Sequence, residues 1–494
     1  MLLKGKALPS PFYSMISKFQ ILGLGMGLSF ILGLFNSLMP MLVGYDGIRW
    51  ISLLAVAFAL GSATILNIMP FSIKNAPPIF LVPLLGTVVL FWESLTSNGL
   101  VFLAYEVLYW VAPALLGVHL GLLHKKSNII SFSQSLAVMS VVSVTLYVLT
   151  IIMGLLFWYN EVSGKVTDYL PFGFYNIRLW SHIATWLIPL ACSIVFIALE
   201  NRFSSLRKYI PFLYFVFGCW FMVLLGSGAR GSLVAQIASF IVLAFLYRHR
   251  FFVVGRFWLI SFAAGCFLYG IFIVVVPWLI FENVEIATPL RSGASGRLTL
   301  WHYAFALSVQ DFPLGVGPLG YILNTPEDAL GSPHSFYLMW AAEYGWLFLL
   351  IFIFGLGTFS WRGWMQPRHV AVEDHAFPYQ IAVQWSVLAA FIHAGVSGIF
   401  TSSISQLVGF PILVAYFAHM ASHYRVGRVD NHTFRKIFIA SNGAMLGLVL
   451  VIVPPMYSWW QSAQANQAEY IEVHQRPLAP RFWLHGRFVQ ENPD

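Results

Sequence analysis

Apolar residues run through this 494-residue chain in blocks of about 20, the length that crosses a bilayer core as a helix. Short polar breaks separate them. The blocks fall near residues 19–40, 49–69, 78–92, 99–122, 135–158, 180–199, 209–227, 230–247, 257–281, 335–357, 380–400, 404–422 and 436–457. They predict an all-α polytopic membrane protein with about 12–14 transmembrane helices, 13 favoured. The range comes from two blocks: 78–92 is short and neighboured by Pro77, Pro78 and Pro83, and 436–457 ends in Pro454 and Pro455.

Composition agrees with that pattern. The chain is 59% hydrophobic, 17% aromatic and only 9% charged, so most of it is suited to lipid rather than water. Cys192, Cys219 and Cys266 each sit in an apolar run, with neither metal-ligand spacing nor the density of a disulfide scaffold. The net charge of +8 comes from short basic clusters between apolar blocks, which writes topology rather than a nucleic-acid surface. Most basic residues become cytoplasmic when the N-terminus is inside. The nine exceptions are Arg49, Lys165, Arg178, Arg230, Arg291, Arg297, Arg476, Arg481 and Arg487. The first block reads as an uncleaved signal anchor. The expected organisation is one transmembrane domain over 1–457, including a large periplasmic loop at 282–334, and a short periplasmic tail at 458–494.

"LLGSGARGSL" (224–233) contains a literal G-x-G-x-x-G at Gly226, Gly228 and Gly231. A dinucleotide fingerprint needs a strand before it, a helix after it and an acidic residue about 20 positions on. Here both flanks are apolar helices, so the nucleotide reading fails. The glycines instead make a tight turn at a helix start, and with Arg230 they form an anion-binding corner. A lone arginine there could equally snorkel to lipid phosphates. Its company favours the corner. Asn176 and Arg178 stand at the outer start of the sixth block, and Arg297 opens an interfacial helix followed by a Gly/Pro-shaped loop. His334 stands where that loop re-enters the membrane. Glu343 lies inside the following span, either as a supporting functional carboxylate or as a hydrogen bond that fixes packing. Arginines and a histidine on one side suit a pyrophosphate, which planar guanidinium forks bind bidentately, and no metal site or cofactor is required.

Three stretches taken together resemble the O-antigen ligase and O-antigen polymerase superfamily: "GSGARGSLVA", "SGRLTLWHYAFALSVQDFPLGVGPLGY" and "PHSFYLMWAAEYGWL", spanning residues 226–346. Ser335 stands where that family often has Asn. The resemblance implies a GT-C-like membrane glycosyltransferase of the bacterial inner membrane, with a periplasmic active site and an undecaprenyl-diphosphate-linked glycan as donor. It implies that Arg230 and Arg297 grip the diphosphate with help from Arg178 or Arg291, that His334 sits at the acceptor, and that the helices form a groove for the polyprenyl chain. The acceptor is lipid A core for a ligase, which is favoured, a second lipid-linked glycan for a polymerase, or protein for a pilin-type oligosaccharyltransferase. An anionic-lipid transporter or flippase is the alternative from another class, and it predicts paired halves or broken midplane helices that the sequence lacks.

Overall fold

The computed structural model describes residues 17–35, 45–65, 100–160, 166–174, 177–195, 207–248, 251–280, 296–325, 331–365 and 377–424, with isolated positions between 445 and 472. Among the described residues every regular element is a helix. In chain order they are α1 (Lys18–Leu34), α2 (Tyr45–Ile65), α3 (Leu100–Leu123), α4 (Lys126–Asn160), α5 (Val166–Tyr169), α6 (Ile177–Ala191), α7 (Ile210–Gly226) and α8 (Arg230–Tyr247). Then come α9 (Phe252–Tyr269), a π-helical turn (Gly270–Val275), α10 (Val276–Ile280), α11 (Arg297–Gln310), α12 (Gly320–Asn324), α13 (Phe336–Met365), α14 (Phe377–Ala394) and α15 (Ser403–Ser422).

Seven of the described helical segments are long and apolar enough to cross a membrane. They lie in α3, α4, α7, α8, α9 to α10, α13 and α15. The blocks at 19–40, 49–69, 180–199 and 380–400 also form helices over their described residues, without meeting both the length and the apolarity of those seven. The block at 78–92 and, apart from isolated positions, that at 436–457 and the 458–494 tail lie outside the described residues.

α15 is the axis of the bundle. Its span is 100% buried, whereas that of α9 to α10 is only 22% buried and turns large apolar side chains such as Phe267 and Trp278 outward. An apolar helix buried on all sides is core, and one apolar on an exposed side is suited to lipid. α3, α2, α1, α6 and α14 pack around α15.

Two departures from regular helix position the site. The block expected to run to residue 400 ends as helix at Ala394, because Gly395–Thr401 folds into turns, with the N–H of Val396 donating to His393 O at 3.0 Å and that of Thr401 to Gly398 O at 3.1 Å. That places Ser397 beside α6. The second departure is a break in α13 at Gly345, whose φ of 85° and ψ of 161° are open to glycine alone. The break releases the carbonyls of Ala342 and Glu343, which accept from the N–H groups of Val316 and Gly317, both at 2.8 Å. A Cβ on Gly345 would collide with the Pro313 and Leu314 backbone. The loop after α11 is thus stitched onto α13 by its main chain. Ala304, Leu307, Tyr321 and Ala342 close a small separate core beneath it.

Candidate functional site

Each of the four main candidate residues lies at the start of a helix. Arg230 is the first residue of α8, after a turn in which Gly228 has φ +67° and its carbonyl accepts from the Arg230 N–H at 2.8 Å. Arg297 is the first residue of α11, after Gly296 at φ +68°. Neither helix has a capping side chain at its N-terminus. Arg178 is the second residue of α6, and His334 stands two residues before α13, with φ +54° and its N–H donating to Ser332 Oγ at 3.2 Å. Helix N-termini carry partial positive charge, so the four helix starts add to the pull of the guanidinium groups on an anion.

The structure brings these residues together. Arg178 Nη1 lies 2.7 Å from His334 Nε2. A guanidinium can only donate, so Nε2 accepts and the neutral imidazole carries its proton on Nδ1. Burial first, then the charges of Arg178 and Arg297, push the His334 pKa down to about 3. Burial and Arg297 lower the pKa of Arg178, and burial and Arg230 lower that of Arg297. Arg178 thus feels the charge of Arg297, and Arg297 that of Arg230. One turn along α11 from Arg297 stands Trp301. Arg297 Nε and Trp301 Nε1 are both buried donors with no hydrogen-bond partner among the described residues. Such donors are costly to leave without an acceptor.

Glu343 is fully buried, and its Oε1 accepts from the backbone N–H of Tyr321 at 3.1 Å. It ties α12 to α13 just above the glycine break. Asn176 and Arg291 lie outside the described residues. Sequence reasoning did not single out a layer of buried polar groups beneath the arginines: His182 and Thr185 of α6, Ser232 of α8, His393 of α14 and Ser397. A signal for part of it was present, because Arg178, His182 and Thr185 are spaced i, i+4, i+7 along one helix face.

A cluster of cationic forks around a neutral imidazole, at convergent helix starts and partly withdrawn from water, can hold a polyanion and stabilise charge that develops on it. Residues 214–353, which carry Arg230, Arg297, His334 and Glu343, match the family model described as O-Antigen ligase. Over this segment the chain is similar to the O-antigen ligase family. The match supports an O-antigen ligase-like, glycosyltransferase-type reading, and seven described helices are long and apolar enough to cross a membrane. The search of curated proteins finds no match. Arg178 and His393 lie outside the matched segment and join it only through the fold.

Proposed function

We propose that this chain transfers a glycan from undecaprenyl diphosphate to the hydroxyl of lipid A core, at the periplasmic face of the bacterial inner membrane. The observation that carries the reading is the 2.7 Å contact of Arg178 with His334, with Arg297 and Arg230 close enough to act on that pair in series. The acceptor oxygen attacks the anomeric carbon, the carbon–diphosphate bond breaks, and the configuration inverts. Arg230 and Arg297 hold the departing diphosphate most strongly as its charge grows, so they act in the transition state. His334, its Nε2 held by Arg178, turns its Nδ1–H to the substrates and positions them rather than removing a proton. No metal is needed in this scheme, because the arginines supply the positive charge.

A cavity of about 470 Å³ lies between α8, α13 and α14, lined by Val242 and Leu246 of α8, Phe352 and Trp364 of α13, and Leu388 and Phe391 of α14. α8 starts at Arg230 and α13 starts two residues after His334, so the helices that carry site residues also wall this groove. At 1.5 Å per residue, Val242 lies roughly 18 Å along α8 from Arg230. An apolar groove of that direction suits a polyprenyl chain whose diphosphate reaches the arginines. The closest competing reading is a polymerase, with a second lipid-linked glycan as acceptor; protein glycosylation and lipid transport follow it.

Purified protein supplied with lipid-linked glycan and each acceptor in turn tests this, with one arm run in chelator. Transfer to lipid A core that survives chelation supports the reading. Chain extension without transfer to core favours the polymerase. Movement of the lipid with no glycan transfer favours the transporter.

A further inference from the structure

The polar layer beneath the arginines has no part in the scheme above, although it is buried among α6, α8 and α14. His182 Nε2 lies 2.6 Å from Ser397 Oγ, and its ring meets that of His393 edge to face at 5.3 Å. Thr185 Oγ1 is 2.9 Å from Ser181 O, 2.7 Å from Ser232 Oγ and 2.9 Å from His393 Nδ1.

The contacts of Thr185 fit a His393 ring protonated on Nδ1. The threonine hydroxyl has one proton, and the Ser181 carbonyl can only accept it. In that arrangement Thr185 Oγ1 donates to Ser232 Oγ or to Ser181 O and accepts from His393 Nδ1. His393 Nε2 is left as a bare acceptor. It has no hydrogen-bond partner among the described residues, and it faces Gly231, where a Cβ would come within 2.8 Å of it. The two histidines near the arginines therefore differ: the Nε2 lone pair of His334 is occupied by Arg178, and that of His393 is open.

We infer that His393 is the group that takes the proton from the acceptor hydroxyl; this rests on reading the arginine cluster as the lipid diphosphate site. As the acceptor oxygen bonds to the anomeric carbon, its proton passes to Nε2. The electron pair of the broken carbon–oxygen bond stays on the diphosphate among the arginines, and the imidazolium returns its proton to water when product leaves. Thr185 and Ser232 hold the ring in the accepting tautomer. The groups nearest His393 are the His182 ring at 5.3 Å and Arg297 of α11, whose charge reaches it.

Three variants in the full-length purified protein test this: His393→Gln, Gly231→Ala and His334→Gln. Gly231 lies inside α8 with no positive φ, so Gly231→Ala keeps every polar group and adds only a methyl in front of Nε2. The expected result for His393→Gln is a kcat lower by about 10²–10⁴-fold with undecaprenyl diphosphate binding unchanged. Gly231→Ala lowers kcat in the same direction. His334→Gln, whose ring has no proton-transfer role in this scheme, should lower kcat less than His393→Gln. A His393→Gln enzyme with wild-type kcat overturns the inference while leaving the transferase reading intact.

A second arm needs no turnover. In ¹⁵N-histidine-labelled protein, the resonance lost in His393→Gln must show a proton on Nδ1 and none on Nε2; the opposite tautomer overturns the inference. A correct tautomer in a wild-type protein that transfers from no lipid-linked donor defeats the transferase reading and the base role with it.

Discussion

Guanidinium groups enter the apolar body of this protein in two regions, and they are held in opposite ways. Arg49 of α2 is 0% exposed; its Nη1 donates to Gln406 Oε1 at 3.0 Å and its Nη2 to Thr401 O at 3.2 Å. Its guanidinium also lies 4.7 Å from the ring centre of Tyr105, whose hydroxyl donates to the same Gln406 oxygen. This cation is met by acceptors of its own chain, and the result joins α2, α3 and α15. Arg178, Arg230 and Arg297 are only partly buried; Arg178 feels the charge of Arg297, and Arg297 that of Arg230. Bringing like charges together costs free energy that an arriving anion can release. On the function proposed above, the contrast is between an arginine used for packing and arginines used for a ligand.

The largest effect that sharpens this contrast is expected at the cluster. Arg230→Ala or Arg297→Ala lowers the transfer rate by about 10²–10³-fold, the usual cost of removing one donor to developing charge. Thermal midpoints should stay the same or rise, since a repulsive neighbour is removed; a large fall in the midpoint would make these residues structural. Arg297→Lys should recover only part of the rate, because a point charge does not replace the fork. His334→Ala is expected to cost about 10²-fold in rate, measured as kcat/KM with donor varied.

At Arg49 the pattern reverses. Arg49→Met removes the Arg49 hydrogen bonds to Gln406 Oε1, which keeps only its Tyr105 donor, and to Thr401 O, and should destabilise the fold by about 1–3 kcal/mol, with turnover per folded molecule unchanged. A chemical-denaturation series beside a rate assay reads both quantities. Glu343→Leu should behave in the same way through the lost Tyr321 hydrogen bond, with a similar magnitude of about 1–3 kcal/mol.

The smallest effect is a pH dependence. His334 has its folded pKa depressed from 6.5 to about 3, so between those values the unfolded chain binds a proton that the folded chain does not. Stability therefore rises with pH across that window and is lost on acidification. The thermal midpoint of the wild type should fall more between pH 6.5 and pH 5 than that of His334→Gln.

Much of this was legible in the sequence, and the physical reason differs from part to part. Helix blocks follow from bilayer thickness, and positions such as Arg230 and Arg297 stand out because charge after a glycine turn is rare in so apolar a chain. The glycine of "AAEYGW" gave no hint that it breaks α13, since it needs the 311–320 loop to claim the carbonyls it frees. Arg49 looked like one more exception to the positive-inside pattern, because its partners lie more than 350 residues away at Thr401 and Gln406. His393 was silent for the same reason: a histidine near the end of an apolar block acquires its tautomer only from Thr185 and Ser232 on two other helices.

The central claim is that the arginines gather to hold a lipid diphosphate. Equilibrium binding of undecaprenyl diphosphate, undecaprenyl phosphate and undecaprenol to the purified protein in nanodiscs tests it most directly, with Arg230→Ala and Arg297→Ala alongside. Affinity should fall in that order for the wild type, and the preference for diphosphate should collapse in both variants. Equal affinity for all three lipids, or a diphosphate preference that survives loss of both arginines, would contradict the account.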